Sequence, residues 1–169
     1  MTEQQQKPEV AIRPDPIVAG EPAPGFTLPA VDRDGRQFDV TLAETLTRGP
    51  LLLIFYQDDG MPICTSELKA FAQEYDLLAE AGVQVFGINT NGIGSHGKFQ
   101  ERDHFPFPLI SDFYGEVVKP YGMWDPDEQK SRRGVVIISE DGLVKHVVPH
   151  FNPGNVNALV EVFEALGLT

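Results

Sequence analysis

A single thiol stands where this chain could do chemistry. Cys64 is the only cysteine among 169 residues. It follows an apolar run, LLLIFY at 51–56, and a polar turn, QDDG at 57–60. Beyond it, Leu68, Phe71, Tyr75 and Leu78 recur at three- and four-residue steps. The unbroken run predicts a strand buried on both faces, and the later spacing predicts a helix. The thiol then falls in the first turn of a helix, just past the carboxyl end of a buried strand, where open α/β sheets gather reactive groups. There the unpaired N–H groups and the positive end of the helix dipole favour a thiolate, the nucleophilic form. The competing reading is a small buried core residue, as most free cysteines are. Asp58 and Asp59 stand beside the thiol, and their charges are expected to raise its pKa.

Other chemistries find less support. One cysteine excludes an intrachain disulfide, a CxxC redox pair and a multi-cysteine zinc site. His146 and His150 lie four apart on a predicted strand and its exit, and no cysteine or carboxylate cluster in the sequence joins them. No metal and no cofactor is expected, given the ligands a metal requires. The glycine-rich stretch 91–97 lacks phosphate-loop spacing and reads as a loop. A formal charge of −12 argues against nucleic acid and against an anionic membrane surface. No run approaches the roughly 18 apolar residues of a membrane span. Residues 1–18 read as a polar tail, with Gln4–Gln6 together and prolines at 8, 14 and 16. They lack the apolar stretch of an export signal, and with an unpaired cysteine this leads us to expect a cytoplasmic protein.

The elements that must position the thiol can be placed from pattern. Residues 26–31 and 37–40 read as a hairpin turning at Asp34–Gly35, and 42–47 as a short helical turn. The helix from Cys64 is predicted to run to Ala81 with Gly82 as its C-cap. Residues 83–88 form a second apolar strand, completing a βαβ unit with a parallel pair. Ser95 reads as the N-cap of a helix reaching His104. Residues 109–110 form a short strand, 114–120 a short helix at best, and 125–132 a charged loop. Residues 135–139 and 143–148 pair across Asp141–Gly142, and 155–166 make a terminal amphipathic helix. The fold class expected is α/β over 19–169, one domain with a central mixed sheet flanked by helices.

Residues 55–68, FYQDDGMPICTSEL, resemble the peroxidatic site of peroxiredoxins, closest to the pattern FYPKDFTPGCTTEA of the bacterioferritin-comigratory, PrxQ-like branch. Phe55, Tyr56, Asp59, Pro62, Cys64, Thr65 and Glu67 match. The opening GEPAPGFTLPAVDRDGRQFDV, the run Ser95, His96, Phe99 and 107–112, and Tyr121, Gly122 and Trp124 resemble the same branch. The resemblance covers about 20–166. Two positions depart: Gln57 replaces the branch's proline, and Met61 replaces its threonine, whose hydroxyl helps orient peroxide.

The resemblance implies a thioredoxin-like fold with the N-terminal peroxiredoxin hairpin, and a thiol peroxidase. Cys64 would attack hydrogen peroxide or an organic hydroperoxide and become a sulfenic acid. Pro62 belongs to the site motif, and the N–H groups of Ile63 and Cys64 would meet the developing charge. The site arginine precedes the strand VVIIS by the branch's register at Arg133, with Arg132 as the competing register. A solvated surface pair is the plain alternative. Glu67 either buttresses that arginine or is an ordinary first-turn acid. Tyr56 either lines the pocket or simply packs, and the same holds for Trp124. The branch's resolving cysteine falls on Lys69, so an external thiol, small or carried by a thioredoxin- or glutaredoxin-like protein, must regenerate Cys64 in a monomer or homodimer. The alternative is a catalytically weak relative that senses oxidant or binds a partner.

Overall fold

The computed structural model describes residues 9–168. Strands β1 (Thr27–Val31) and β2 (Gln37–Thr41) form the N-terminal hairpin, followed by α1 (Leu42–Leu46) and β3 (Leu51–Phe55). Helices α2 (Pro62–Gln73) and α3 (Tyr75–Glu80) lead to β4 (Gln84–Asn89), α4 (Ile93–Asp103) and β5 (Leu109–Ser111). Two short strands, β6 (Trp124–Asp125) and β7 (Lys130–Ser131), precede β8 (Gly134–Ile138), β9 (Val144–Val148) and α5 (Val156–Ala165). Seven strands make one sheet in the order β2-β1-β5-β4-β3-β8-β9. Within it β3, β4 and β5 are parallel, while β1, β8 and β9 pair antiparallel to their neighbours. This is the mixed sheet flanked by helices that the pattern predicts, in the thioredoxin-like arrangement that the resemblance implies.

The central strand explains its own sequence. All five residues of β3 are fully buried, because alternate side chains enter two different cores. Leu51, Leu53 and Phe55 meet Ile88, Ile110, Val136 and Tyr121 on one face. Leu52 and Ile54 meet Leu68, Phe71, Ile137 and Phe163 on the other. Each such side chain contributes about 1.5–3 kcal/mol by leaving water. The second face carries α2, whose first turn holds Cys64.

Several expectations require correction. The helix predicted over 64–81 begins two residues earlier and breaks at Glu74, whose N–H bonds back to Phe71 in a tighter turn before α3 starts. Helix α4 starts at Ile93 with Gly92 at its N-cap, so Ser95 lies inside the first turn and its hydroxyl is free for another partner. The glycine-rich stretch is thus largely helix. Residues 114–120 form turns, and 125–132 form the β6–β7 hairpin, with Asp125 Oδ1 accepting the N–H of Asp127. Among the described residues no helix is long and apolar enough to cross a membrane.

The stretch 9–18 lies along the domain: the N–H groups of Arg13 and Ile17 donate to the carbonyls of Lys119 and Tyr121, each at 3.0 Å, and Ile17 is buried. The rest of the predicted tail, 1–8, lies outside the described residues. Gly122, at φ +71°, lets the chain pass this segment, since a Cβ there would lie 2.0 Å from the Asp15 carbonyl oxygen. Gly122→Ala is expected to destabilise the fold by about 2 kcal/mol or more in urea unfolding. An unchanged midpoint would show that the segment contributes nothing to the folded state.

Candidate active site

Helix α2 opens on Pro62, whose missing N–H costs nothing at the first helical position. Cys64 is the third residue of that helix. Thr65 makes the first backward bonds, from its N–H (2.8 Å) and its hydroxyl (3.0 Å) to the Met61 carbonyl. The N–H groups of Ile63 and Cys64 precede the first i−4 acceptor, so helix geometry leaves them available for developing negative charge.

The Cys64 thiol is completely buried on the α2 side of the sheet. The Gln57 N–H donates to its Sγ at 3.3 Å, and Met61 Sδ lies 3.7 Å away. Burial pushes the thiol above its ordinary pKa. The N–H groups of Asp58 and Gln57 pull against burial, the charge of Glu67 adds to it, and Arg133 opposes it. The helix start, read by itself, favours the thiolate, but desolvation of the enclosed sulfur outweighs the donors around it.

Asp58 and Asp59 are not left facing the sulfur as free charges. Asp58 pairs with Lys130 on β7. Asp59 accepts from four side chains: Tyr56 Oη (2.7 Å) and Asn89 Nδ2 (3.2 Å) on Oδ1, Ser95 Oγ (2.7 Å) and His96 Nδ1 (2.6 Å) on Oδ2. Burial opposes ionisation of Asp59, yet the hydrogen bond and charge of His96, with Ser95 and Tyr56, hold its carboxyl below its ordinary value. Tyr56 is a core side chain tied to this carboxylate, not an exposed pocket wall; its ring centre lies 6.1 Å from that of Phe99. Trp124 is half-buried, with Lys119 Nζ 4.8 Å over its ring.

Arg133 immediately precedes β8, the strand next to β3, and its carbonyl accepts the Phe151 N–H at 2.9 Å. With Gln57, whose N–H bonds the thiol, and with Arg132 and His150 it lines a cleft of about 320 Å³. Both arginines present a buried Nε without a hydrogen-bond partner among the described residues. It is the charge of Arg133 that acts on Cys64 and on Glu67. Glu67 is fully buried and neither oxygen has a hydrogen-bond partner among the described residues. Because α2 starts at Pro62, Glu67 lies beyond its first turn, which corrects the reading as a first-turn acid, and the charge of Arg133 reaches it without a hydrogen bond. Ile63 and Pro62 lie at the surface.

Sequence reasoning missed the set Asn89, Asn91, Ser95, His96 and Lys130. Ser95 and His96 were visible in the resemblance, but nothing in the sequence alone aims them at Asp59, 36 and 37 positions away. His146 and His150 do not meet at a shared site: His146 Nε2 lies 3.3 Å from Glu161, while His150 faces the cleft.

Glu67 carries a pH signature. Burial pushes its carboxyl well above the ordinary range, against the charge of Arg133. Between the ordinary and raised values the folded state binds more protons than the unfolded one, so its contribution to stability falls as pH rises through that window. Glu67→Gln should be more stable than the wild type at about pH 8, with the difference vanishing near about pH 4. Denaturant unfolding at the two pH values checks this; a gain independent of pH would mean that the carboxyl does not titrate as described.

Comparison with known proteins agrees with this architecture. The model of the AhpC/TSA family matches residues 19–147. A peroxiredoxin of Thermoplasma volcanium is 30% identical over 160 residues, 89% of this chain and 75% of its own. Peroxiredoxin Bcp of Escherichia coli K12 is 31% identical over 153 residues, 86% of this chain and 94% of its own. In fold, the reduced 2-Cys peroxiredoxin of Plasmodium vivax superposes with a TM-score of 0.79 at 24% identity, covering 89% of this chain and 97% of that one. On these matches, the chain belongs to the AhpC/TSA family of peroxiredoxins.

Proposed function

We propose that Cys64 is the nucleophile of a one-cysteine thiol peroxidase whose site arginine is Arg133. The observation that carries this reading is a lone thiol at the start of α2, bonded by the Gln57 N–H at 3.3 Å and acted on by the charge of Arg133. The thiolate attacks one peroxide oxygen and the O–O bond breaks. Sulfur is oxidised to sulfenic acid, and the other oxygen leaves as water or an alcohol after taking a proton. A guanidinium can donate to sulfur and to the departing oxygen at once, and the N–H groups of Ile63 and Cys64 add fixed dipoles. An external thiol then condenses with the sulfenic acid, releasing water and leaving a mixed disulfide. A second thiol displaces Cys64 and carries away the disulfide.

Lys69, where the branch's resolving cysteine would fall, pairs with Asp103 at 3.6 Å. The reductant is therefore external, a small thiol or a thioredoxin- or glutaredoxin-like protein. We place this chemistry in residues 19–169, in the cytoplasm, as a monomer or homodimer without nucleic acid, membrane, metal or cofactor. Met61, with its sulfur 3.7 Å from Sγ, gives the mouth an apolar wall where the branch has a hydroxyl. That wall suits bulkier or more apolar hydroperoxides. The same wall and the raised thiol favour a second reading, a slow relative that senses oxidant.

The second-order rate of Cys64 with hydrogen peroxide and with an organic hydroperoxide separates the two. A peroxidase reacts far faster than a free thiol, its rate rises with pH as the raised thiol ionises, and Arg133→Ala lowers it by roughly 10²-fold. A rate no better than a free thiol selects the sensor. Met61→Thr should speed hydrogen peroxide relative to the organic substrate, and an unchanged preference would remove Met61 from specificity.

A further inference from the structure

The reaction above makes no use of His96, a fully buried histidine on α4. Its two ring nitrogens face two acceptors. Nε2 lies 2.9 Å from the Ile110 carbonyl oxygen, and Nδ1 lies 2.6 Å from Asp59 Oδ2. A carbonyl oxygen can only accept, and a neutral imidazole has one N–H. Both contacts are satisfied together when His96 is an imidazolium against the Asp59 carboxylate. Its ring fits between α4, β5 and the tilted ring of Tyr56, 6.3 Å away centre to centre.

Asp59 is held by its backbone as well, its N–H donating to Asn91 Oδ1 at 2.8 Å. Residue 59 is thereby pinned from β3, β4 and α4. The residues immediately before it supply the N–H groups that face sulfur: Gln57 at 3.3 Å, with Asp58 beside it. Hydrogen bonds to an ionised acceptor are short and directional, and they weaken steeply when the donor swings away. A loop at the end of a strand keeps such aim only if something fixes it.

We infer that His96 is a positioning residue for Cys64: through Asp59 it fixes the 57–59 loop so that its N–H groups stay aimed at the sulfur and favour its ionised form against burial. Ser95, exposed at the same carboxylate oxygen, takes a smaller share of that task. The inference rests on Cys64 being the reactive thiol. Its alternative is that His96 merely fills the space between α4 and β5.

The test uses the full chain and three readouts: thiolate ultraviolet absorbance against pH, the rate with hydrogen peroxide, and denaturant stability. His96→Phe should move the thiolate midpoint upward and slow the reaction roughly tenfold, the size of one weakened bond to an ionised acceptor. His96→Asn, which keeps an N–H at the Nδ1 position, should recover most of that loss. Ser95→Ala should slow the reaction about two- to threefold with stability unchanged, and Ser95→Thr should restore it. Variants that lose stability yet titrate and react like the wild type would overturn the inference. Should His96→Phe fail to fold, Ser95→Ala decides, and an unmoved midpoint overturns it. Failure of the peroxidase reading looks different: the wild type reacts no faster than a free thiol, while the titration still separates the variants.

Discussion

Ionising a sulfur beneath a helix forfeits solvation that only fixed dipoles and charges can replace. That constraint runs through the region around Cys64. The thiol is fully enclosed because α2 packs Leu68 and Phe71 against Leu52 and Ile54 of the central sheet. Water is excluded, so donors must come from the chain itself. They come from the residues just past β3, where Gln57 and Asp58 turn their N–H groups to sulfur.

A loop that supplies donors must be held, and its own charges must be neutralised. Two consecutive carboxylates meet both needs by reaching in opposite directions. Asp58 ties the loop to the β6–β7 hairpin through Lys130, and Asp59 ties it to α4 through His96 and Ser95. The same side chains that on paper should repel a thiolate become the loop's anchors, Asp58 paired with Lys130 and Asp59 hydrogen-bonded by Tyr56, Asn89, Ser95 and His96. In a chain of net charge −12 such pairing is local and specific. Glu67 shows the opposite solution: enclosed without a hydrogen-bond partner among the described residues, it is pushed toward its neutral form.

The buried arginine Nε atoms and the cleft lined by Gln57 and Arg133 complete the electrostatic frame. Arg133 stands at the entrance to β8, which pairs with β3 so that Gly134 lies opposite Phe55. The antiparallel register therefore brings a cation distant in sequence to the end of the strand that leads into the loop before Cys64. A parallel neighbour in that place would have put the strand entrance at the other end of β3.

What the sequence by itself determined follows from local periodicity and turn chemistry. The apolar run of β3, the helical spacing after Cys64, the Asp34–Gly35 turn and the amphipathic α5 each carry a period or a turn residue that short-range sterics and burial impose. The motif around Cys64 was legible for the same reason, since its residues lie within one strand, one turn and one helix start. Tertiary structure alone decided what lies across the sheet. Ser95 read as a helix cap and His96 as the residue after it until α4 turned both toward Asp59. Lys130 read as loop until a two-stranded hairpin carried it to Asp58. The direction of the thiol's pKa was likewise out of reach of the sequence, because helix position fixes the donors near a sulfur, whereas the packing of distant strands and helices fixes how much water it loses.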